Sequence, residues 1–320
     1  MFSTLADFIG NSLAASGRQW RRLFLAALFT LAAGVAHAGY TTTRYPIVLM
    51  HGMSGFDQVG AIDYFYGIPQ ALRDGGARVF VAQVSAFNSS EQRGEQLLQQ
   101  VRNVLAITGA QKVNLIGHSH GSQTVRYVAA VAPELVASVT AVGGPNKGSK
   151  VADFVDANLR EGSWLRGVAA AFINAFGQVI SFLSGSTVYE QNAIAAMKSL
   201  TTSGSAAFNA KFPQAIPTSS CGDGASVVNG IRYYSWTGDR NLTNVFDVLD
   251  APLAVLGQLH GAQNDGLVSV CSSKLGQSLG VYAQNHLDEV NQLLGFVDLF
   301  SVSPKTLYRQ HANRLQAAGL

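Results

Sequence analysis

Four short apolar runs, rich in β-branched residues, recur in the first half of the chain. They are Tyr45–Met50 (YPIVLM), Val79–Val84 (VFVAQV), Val113–Ile116 (VNLI) and Val136–Val142 (VASVTAV), each closed by Gly, Ser or a polar cluster. The stretches between them read as helices. The clearest is Glu91–Thr108, where Leu97, Leu98, Val101, Val104 and Leu105 keep a 3.6-residue spacing. A strand that is apolar on both faces must be covered on both faces. Strands of that kind alternating with helices predict an α/β fold with a mostly parallel central sheet and helices on either side. Further strand candidates are Arg232–Trp236 and Val281–Ala283. No linker, internal repeat or low-complexity block divides the sequence, so residues 39–320 are expected to form a single domain.

The N-terminal segment does not fit that pattern. Arg18, Arg21 and Arg22 precede an apolar run, Leu23–Val35, that finishes in Ala36-His37-Ala38. A basic stretch, a short apolar core and a small-x-small site make a secretory signal peptide over residues 1–38, with cleavage expected after Ala38. The run is shorter than the roughly 20 residues a membrane span needs, so no transmembrane anchor is expected in the mature form. Three of the 22 Lys and Arg and one of the 19 Asp and Glu belong to this leader, which leaves the remainder nearly balanced. No basic tract remains to suggest nucleic acid as a partner. Export also bears on the two cysteines: in an oxidising compartment Cys221 and Cys271 read as one disulfide.

The third apolar run leads into Gly117-His118-Ser119-His120-Gly121, and Thr124, Val125, Val128 and Ala129 follow as the apolar face of a helix. By itself G-x-S-x-G is a weak signal. After a strand and before a helix it reads as a nucleophile elbow, a tight turn that holds a serine hydroxyl above the carboxyl edge of a sheet. Neither adjacent histidine suits the role of base, because a side chain at the tip of a tight turn points away from its chain neighbours. The base must come from another loop, within about 3 Å of the hydroxyl. His120 has a different use, since the residue after the nucleophile offers its backbone N–H to an oxyanion hole. His118 is expected to pack or to make a local hydrogen bond.

Downstream, His260, His286 and His311 are the available bases. His311 falls in a polar-rich terminal helix and is expected to face solvent or to cap. His260 lies in a Gly-rich loop. His286 follows a strand-like VYA and opens a polar loop, which suits the carboxyl edge of a sheet. Among carboxylates, Asp265 precedes Gly266, Leu267 and Val268, and an Asp just past a strand and fixed by a Gly turn can orient an imidazole. The same residues read equally well as a plain Asp-Gly turn.

YPIVLMHGM, RGEQLLQQV, KVNLIGHSHG, TSSCGDGA, NDGLV, NHLDEVNQ and YRQHANRL, in this order, resemble the secreted triacylglycerol lipases of the Pseudomonas/Burkholderia type. The resemblance covers essentially the whole mature chain. It implies an α/β-hydrolase fold with a helical lid, and a triad of Ser119, Asp265 and His286. It implies oxyanion donors at the backbone of Met53 and His120. It also implies a structural calcium held by the carboxylates of Asp247 and Asp288 and the carbonyl oxygens of Gln292 and Phe296. Calcium favours such oxygen ligands, and no His/Cys cluster suggests zinc. The Cys221–Cys271 bridge would brace the same region. The family acts on triglyceride at a lipid–water interface, is secreted through the periplasm, and depends there on a dedicated foldase.

The segment 163–185 (SWLRGVAAAFINAFGQVISFLSG) carries Leu165, Val168, Phe172, Phe176, Val179 and Leu183 at helical spacing. By pattern this is a core helix. By resemblance it is a lid whose movement gives interfacial activation. Two rival functions stay open at this point: a short-chain carboxylesterase or polyester depolymerase with the same triad, and a non-catalytic lipid-binding hydrolase scaffold.

Overall fold

The strands pair as their apolar character demands. The computed structural model describes residues 39–53, 58–59, 62–158, 189–292 and 294–320; the expected leader and the lid segment lie outside the described residues. β1 (Ile47–Met50) is followed by a short antiparallel hairpin, β2 (Gln58–Val59) and β3 (Ile62–Asp63), which stands apart from the main sheet. The remaining strands are β4 (Val79–Ala82), β5 (Val113–His118), β6 (Val136–Val142), β7 (Val227–Val228), β8 (Ile231–Gly238) and β9 (Gln277–Tyr282). They form one seven-stranded sheet in the order β4-β1-β5-β6-β8, with β9 and β7 both paired to β8. Every pairing in it is parallel except that of β7.

Among the described residues the helices are α1 (Ile68–Asp74), α2 (Ser90–Thr108), α3 (Gly121–Val131), α4 (Lys150–Asn158), α5 (Ala193–Leu200), α6 (Thr202–Lys211), α7 (Asp250–Gly257), α8 (Val270–Ser273) and α9 (Pro304–Ala317). Successive side chains of a strand point to opposite faces. In β1, Val48 and Met50 join the core formed with Leu97 and Val101 of α2 and Val125 and Val128 of α3. Ile47 and Leu49 join a second core with Ile68 and Leu72 of α1 and Leu307 and Tyr308 of α9. The sheet is therefore covered on both faces, which is why its inner strands are mostly apolar, interrupted only by small or amide side chains that are buried, Asn114, Ser138 and Thr140 among them. α2 starts where the Ser89 hydroxyl accepts the N–H of Gln92 at 3.2 Å. It stops at Gly109 with φ 65°, whose N–H reaches the carbonyl of Leu105 at 2.9 Å.

Two expectations need correction. β9 runs Gln277–Tyr282, not Val281–Ala283. It lies on the outer side of β8 and is only partly buried, so Gln277, Ser278 and Gly280 hide it from an apolar-run reading. His311 neither faces solvent nor caps: it is 1% exposed, with Nε2 2.8 Å from the Thr140 hydroxyl. It shares the stripe of α9 that includes Leu307, Tyr308 and Leu315, and that stripe lies on the sheet.

Parallel strands bring their carboxyl ends to one edge. Hydrogen bonds from Ser119 N–H to Val142 O, from Gly143 N–H to Trp236 O and from Asp239 N–H to Tyr282 O tie that edge together. Cys221 and Cys271 are disulfide-bonded, closing a sequence separation of 50 residues. Cys271 lies in α8, directly after the segment carrying Asp265. A loop of this size corresponds to about 4 kcal/mol of stabilisation in the chain-entropy model. The Cys221→Ser/Cys271→Ser variant is expected to lose about 2–4 kcal/mol in urea unfolding; a midpoint equal to that of the wild type would show that the bridge stabilises nothing.

Candidate active site

The elbow forms as its sequence suggests. Ser119 has φ 54°, left-handed backbone that a residue with a Cβ adopts only at a cost of about 1–3 kcal/mol. The cost is met on both sides of the turn. The Ser119 N–H is held by Val142 O of the neighbouring strand at 2.9 Å, and its carbonyl accepts the Ser122 N–H at 2.9 Å. The glycines are there because backbones cross closely. A Cβ on Gly117 would run into the carbonyl of Gly121, and a Cβ on Gly121 would run into the carbonyl of Met50. A third glycine, Gly52, is equally constrained, for its Cβ would stand 2.8 Å from the Cβ of Ser119 and 2.7 Å from the Tyr64 hydroxyl. The Gly52-Met53 turn after β1 therefore lies directly against Ser119.

Neither flanking histidine is free to act as a base. His120 is buried with Nε2 2.9 Å from the Ser90 hydroxyl, which itself donates to Gln123 Oε1 at 2.5 Å. Burial, with the Arg93 charge behind it, holds the His120 imidazole well below its usual range. His118 is buried with Nδ1 2.7 Å from the Tyr64 hydroxyl and Nε2 2.9 Å from the His286 carbonyl oxygen. The expected packing role of His118 is thus a long-range hydrogen-bonding one.

Asp265 and His286 meet. His286 Nδ1 lies 2.7 Å from Asp265 Oδ2, and both residues are buried. Asp265 Oδ1 accepts the N–H groups of Leu267 at 2.9 Å and Val268 at 2.7 Å, which aims the other oxygen at the ring. The two loops are also joined through the backbone, from His286 N–H to Asp265 O at 2.8 Å. Asp265 does not stand just past a strand, contrary to the simple expectation. It follows α7 on the long excursion after β8, and its turn is set by Asn264, whose side-chain oxygen accepts the Gly266 N–H at 2.9 Å. His286 sits in the loop after β9, with its ring centroid 4.7 Å from that of His118, the neighbour of Ser119. Among the described residues no hydrogen bond joins the Ser119 hydroxyl to His286. Such contacts often tighten only when substrate is bound. Of the other histidines weighed, His260 reaches the backbone of Leu267, near enough to Asp265 and His286 for their charges to act on it, and His311 packs in the core against Trp236.

Buried charged residues escaped the sequence reading, and two of them, Arg93 and Glu289, bear on this site. Arg93 of α2 donates from one terminal nitrogen to the carbonyls of His51 at 2.6 Å and Gly52 at 3.1 Å. It thereby pins the turn that carries Met53, and burial brings its guanidinium down to about 9. Glu289 accepts the Gly238 N–H at 2.6 Å on one oxygen and presents the other 3.3 Å from His118 Nε2 and 4.0 Å from His286 Nδ1. Burial and the charge of Asp265 push its carboxyl well above the usual range. Both residues sit inside quoted stretches, RGEQLL and HLDEVN, but nothing in a sequence says that a charged residue is buried.

Two of the expected metal ligands lie close to each other in the loops beside His286. Asp247 and Asp288 are both buried. Burial, then the charges of Asp250 and Asp247, pushes Asp288 up to about 7. Its Oδ2 accepts the Asn285 N–H at 3.1 Å, while its Oδ1 is buried with no hydrogen-bond partner. Asp250 needs no cation, since it takes the N–H of Asn244 and the amide of Asn285, each at 2.7 Å. The Gln292 side chain is occupied, its Nε2 donating to the carbonyl of Asp63 at 2.5 Å and its Oε1 accepting the Leu294 N–H at 3.2 Å, which leaves its main-chain oxygen for a metal; Phe296 lies four residues on in the same loop. An orphaned buried carboxylate oxygen raised by two neighbouring acids fits a hard divalent cation. His118, His286 and Glu289 also cluster within 4.8 Å. Both nitrogens of His118 and Nδ1 of His286 are already engaged with Tyr64, the His286 carbonyl and Asp265.

Comparison with known proteins accords with this architecture. The family described as "alpha/beta hydrolase fold" matches residues 45–309. A triacylglycerol lipase of Vibrio cholerae is 54% identical over 292 residues, covering 91% of this chain and 94% of that protein. Triacylglycerol lipases of Pseudomonas fragi (46% identical, 87% of this chain and 98% of that one) and Burkholderia plantarii (44%, 90% of each) are also similar. Among solved structures, the mature Bacillus licheniformis lipase BlEst2 superposes with a TM-score of 0.55 at 20% identity, covering 79% of this chain and 89% of that one. The fold is that of an α/β hydrolase, and the chain belongs to the α/β-hydrolase family, among the bacterial triacylglycerol lipases.

Proposed function

We propose that this lipase cleaves triacylglycerol esters through an acyl-enzyme on Ser119, with His286 as general base, Asp265 as its orienting acid, and the N–H groups of Met53 and His120 as the oxyanion hole. The observation that carries the reading is the 2.7 Å Asp265–His286 pair beside a serine held in left-handed backbone at a strand–turn–helix junction. His286 takes the Ser119 proton as the hydroxyl oxygen attacks the ester carbonyl. Asp265 fixes the Nδ1–H tautomer and stabilises the imidazolium. The tetrahedral oxyanion is met by the two backbone donors, each worth about 3 kcal/mol of barrier. The intermediate collapses, His286 protonates the departing glycerol oxygen, and water then hydrolyses the acyl-serine by the same route. Arg93 supports this reading by holding the Gly52-Met53 turn against the serine.

Action at a lipid surface has its own support. Val245, Phe246 and Val248 in one loop and Leu299 and Phe300 in another are exposed, Phe300 to 99%. The loops are joined by the Asn244 amide and the Val297 carbonyl at 3.1 Å. No Lys or Arg occurs in 241–249 or 294–303. Exposed apolar side chains of this number are unfavourable in water and suit an uncharged lipid phase. The lid over 163–185 belongs to the same reading. So do export with cleavage near Ala38, secretion, and the help of a periplasmic foldase, all of which rest on the leader's pattern and on family resemblance. Among the described residues no helix is long and apolar enough to cross a membrane.

Calcium would be held by Asp247 and Asp288 with main-chain oxygens of Gln292 and Phe296. It would supply charge neutralisation beside the His286 loop and take no part in the chemistry.

Two outcomes test these readings. Ser119→Ala is expected to keep its far-ultraviolet circular dichroism and to lose about 10³-fold or more in turnover on a chain-length series of glycerides. Activity within tenfold of the wild type would reject the serine, and a wild type that cleaves tributyrin but no long-chain glyceride would favour an esterase. A strong chelator is expected to lower Tm and activity together, both restored by calcium; unchanged values in chelator would remove the metal from the account.

A further inference from the structure

A chain of hydrogen bonds runs behind Ser119 that the reaction above does not use. The Gly52 N–H donates to the Tyr64 hydroxyl at 3.0 Å, and that hydroxyl lies 2.7 Å from His118 Nδ1. His118 Nε2 lies 2.9 Å from the His286 carbonyl oxygen. The same Nε2 also faces the Glu289 carboxyl at 3.3 Å, and the carbonyl sets the direction of the link. A carbonyl only accepts, so Nε2 carries the His118 proton. In a neutral imidazole Nδ1 is then the acceptor, and Tyr64 must donate to it. Burial supports these states: it holds His118 far below its usual range and pushes the Tyr64 phenol up, so one stays neutral and the other stays protonated.

The ends of this chain are what give it meaning. Gly52 precedes Met53, a donor of the proposed oxyanion hole; His118 precedes Ser119; the last link is the backbone of His286 itself. The three come from separate loops, after β1, β5 and β9. The Tyr64 segment is also tied to the far side of the His286 loop. Gln292 donates to the carbonyls of Asp63 at 2.5 Å and Tyr64 at 3.2 Å, and Asn291 donates to the carbonyl of Tyr66 at 2.7 Å. The Tyr66 N–H returns a bond to Val290 O at 3.1 Å.

We propose that Tyr64 and His118 are positioning residues, a hydrogen-bonded strut that sets the spacing between the oxyanion turn at Gly52-Met53 and the loop that presents His286. The proposal rests on the catalytic reading above. Neither residue touches the reacting atoms; each acts through the group it holds. Errors of about 1 Å between a reacting centre and its donors cost on the order of 100-fold in rate. A strut of two rigid rings, whose protons can lie in only one arrangement, suits that tolerance better than two independent loops.

Tyr64→Phe removes one hydroxyl and keeps the ring. Rates are to be measured on p-nitrophenyl butyrate per active site, counted by titration with a fluorophosphonate, so that misfolded chains drop out. The expected result is a kcat lower by about 10- to 100-fold, with KM changed by less than about twofold. Inhibition by an alkylboronic acid, which mimics the tetrahedral intermediate, should weaken by the same factor as kcat/KM. His118→Gln, whose amide can donate to the His286 carbonyl and accept from Tyr64, should retain more activity than His118→Ala. A Tyr64→Phe enzyme whose kcat and boronate affinity match the wild type overturns the strut, as does a loss seen only in the number of titrated sites. Failure of the catalytic reading looks different: Ser119→Ala would keep its activity whatever the Tyr64 variants do.

Discussion

The left-handed backbone at Ser119 is the constraint to which the rest of the site answers. A serine does not take φ 54° unaided. It does so here because β5 is locked between β1 and β6, and because α3 begins two residues later, hard against the end of β1. The sheet therefore determines where the hydroxyl stands. Gly52, Gly117 and Gly121 are where the backbones of β1, β5 and α3 approach too closely for a Cβ. The same crowding brings the turn at Gly52 onto the serine, so the oxyanion donor proposed at Met53 would arise from the geometry that presents Ser119.

What surrounds the serine is less rigid by construction and is braced by buried polar groups. Arg93 holds the Gly52 turn through two carbonyls, Asp265 and His286 join through both side chain and backbone, and Glu289 closes the space behind His118. Such groups are costly to bury, and most of their polar atoms are hydrogen-bonded; Glu289 Oε2 and Asp288 Oδ1 are not. The exceptions are informative. The second oxygen of Asp288 has no partner although acids crowd it, which is the chemistry that a divalent cation relieves.

Much of this architecture was legible in the order of residues. Largely apolar runs announced β1, β4, β5 and β6, and Leu97, Val101 and Val104 announced α2, because burial on a parallel sheet leaves a direct mark on composition. β9 was legible only at its end, since a strand on the sheet's outer side is half exposed and admits Gln277, Ser278 and Gly280. His311 was misread because a polar-rich helix can still bury one face, and a histidine on that face finds Thr140. For the site, spacing alone gave Ser119 and left Asp265 balanced against an ordinary turn. Resemblance to a lipase family singled out the rest. Arg93, Tyr64 and Glu289 were silent, because a charge or hydroxyl committed to a partner dozens of residues away leaves no local pattern.

The central claim is that Ser119 is made nucleophilic by an imidazole from a distant loop. The most direct measurement is fluorophosphonate labelling followed by peptide mass mapping, on the wild type and on His286→Ala. The account predicts a single adduct on the peptide containing Ser119, and labelling slowed by about 10³-fold or more without the imidazole. An adduct on another residue, or labelling as fast in His286→Ala as in the wild type, would contradict it.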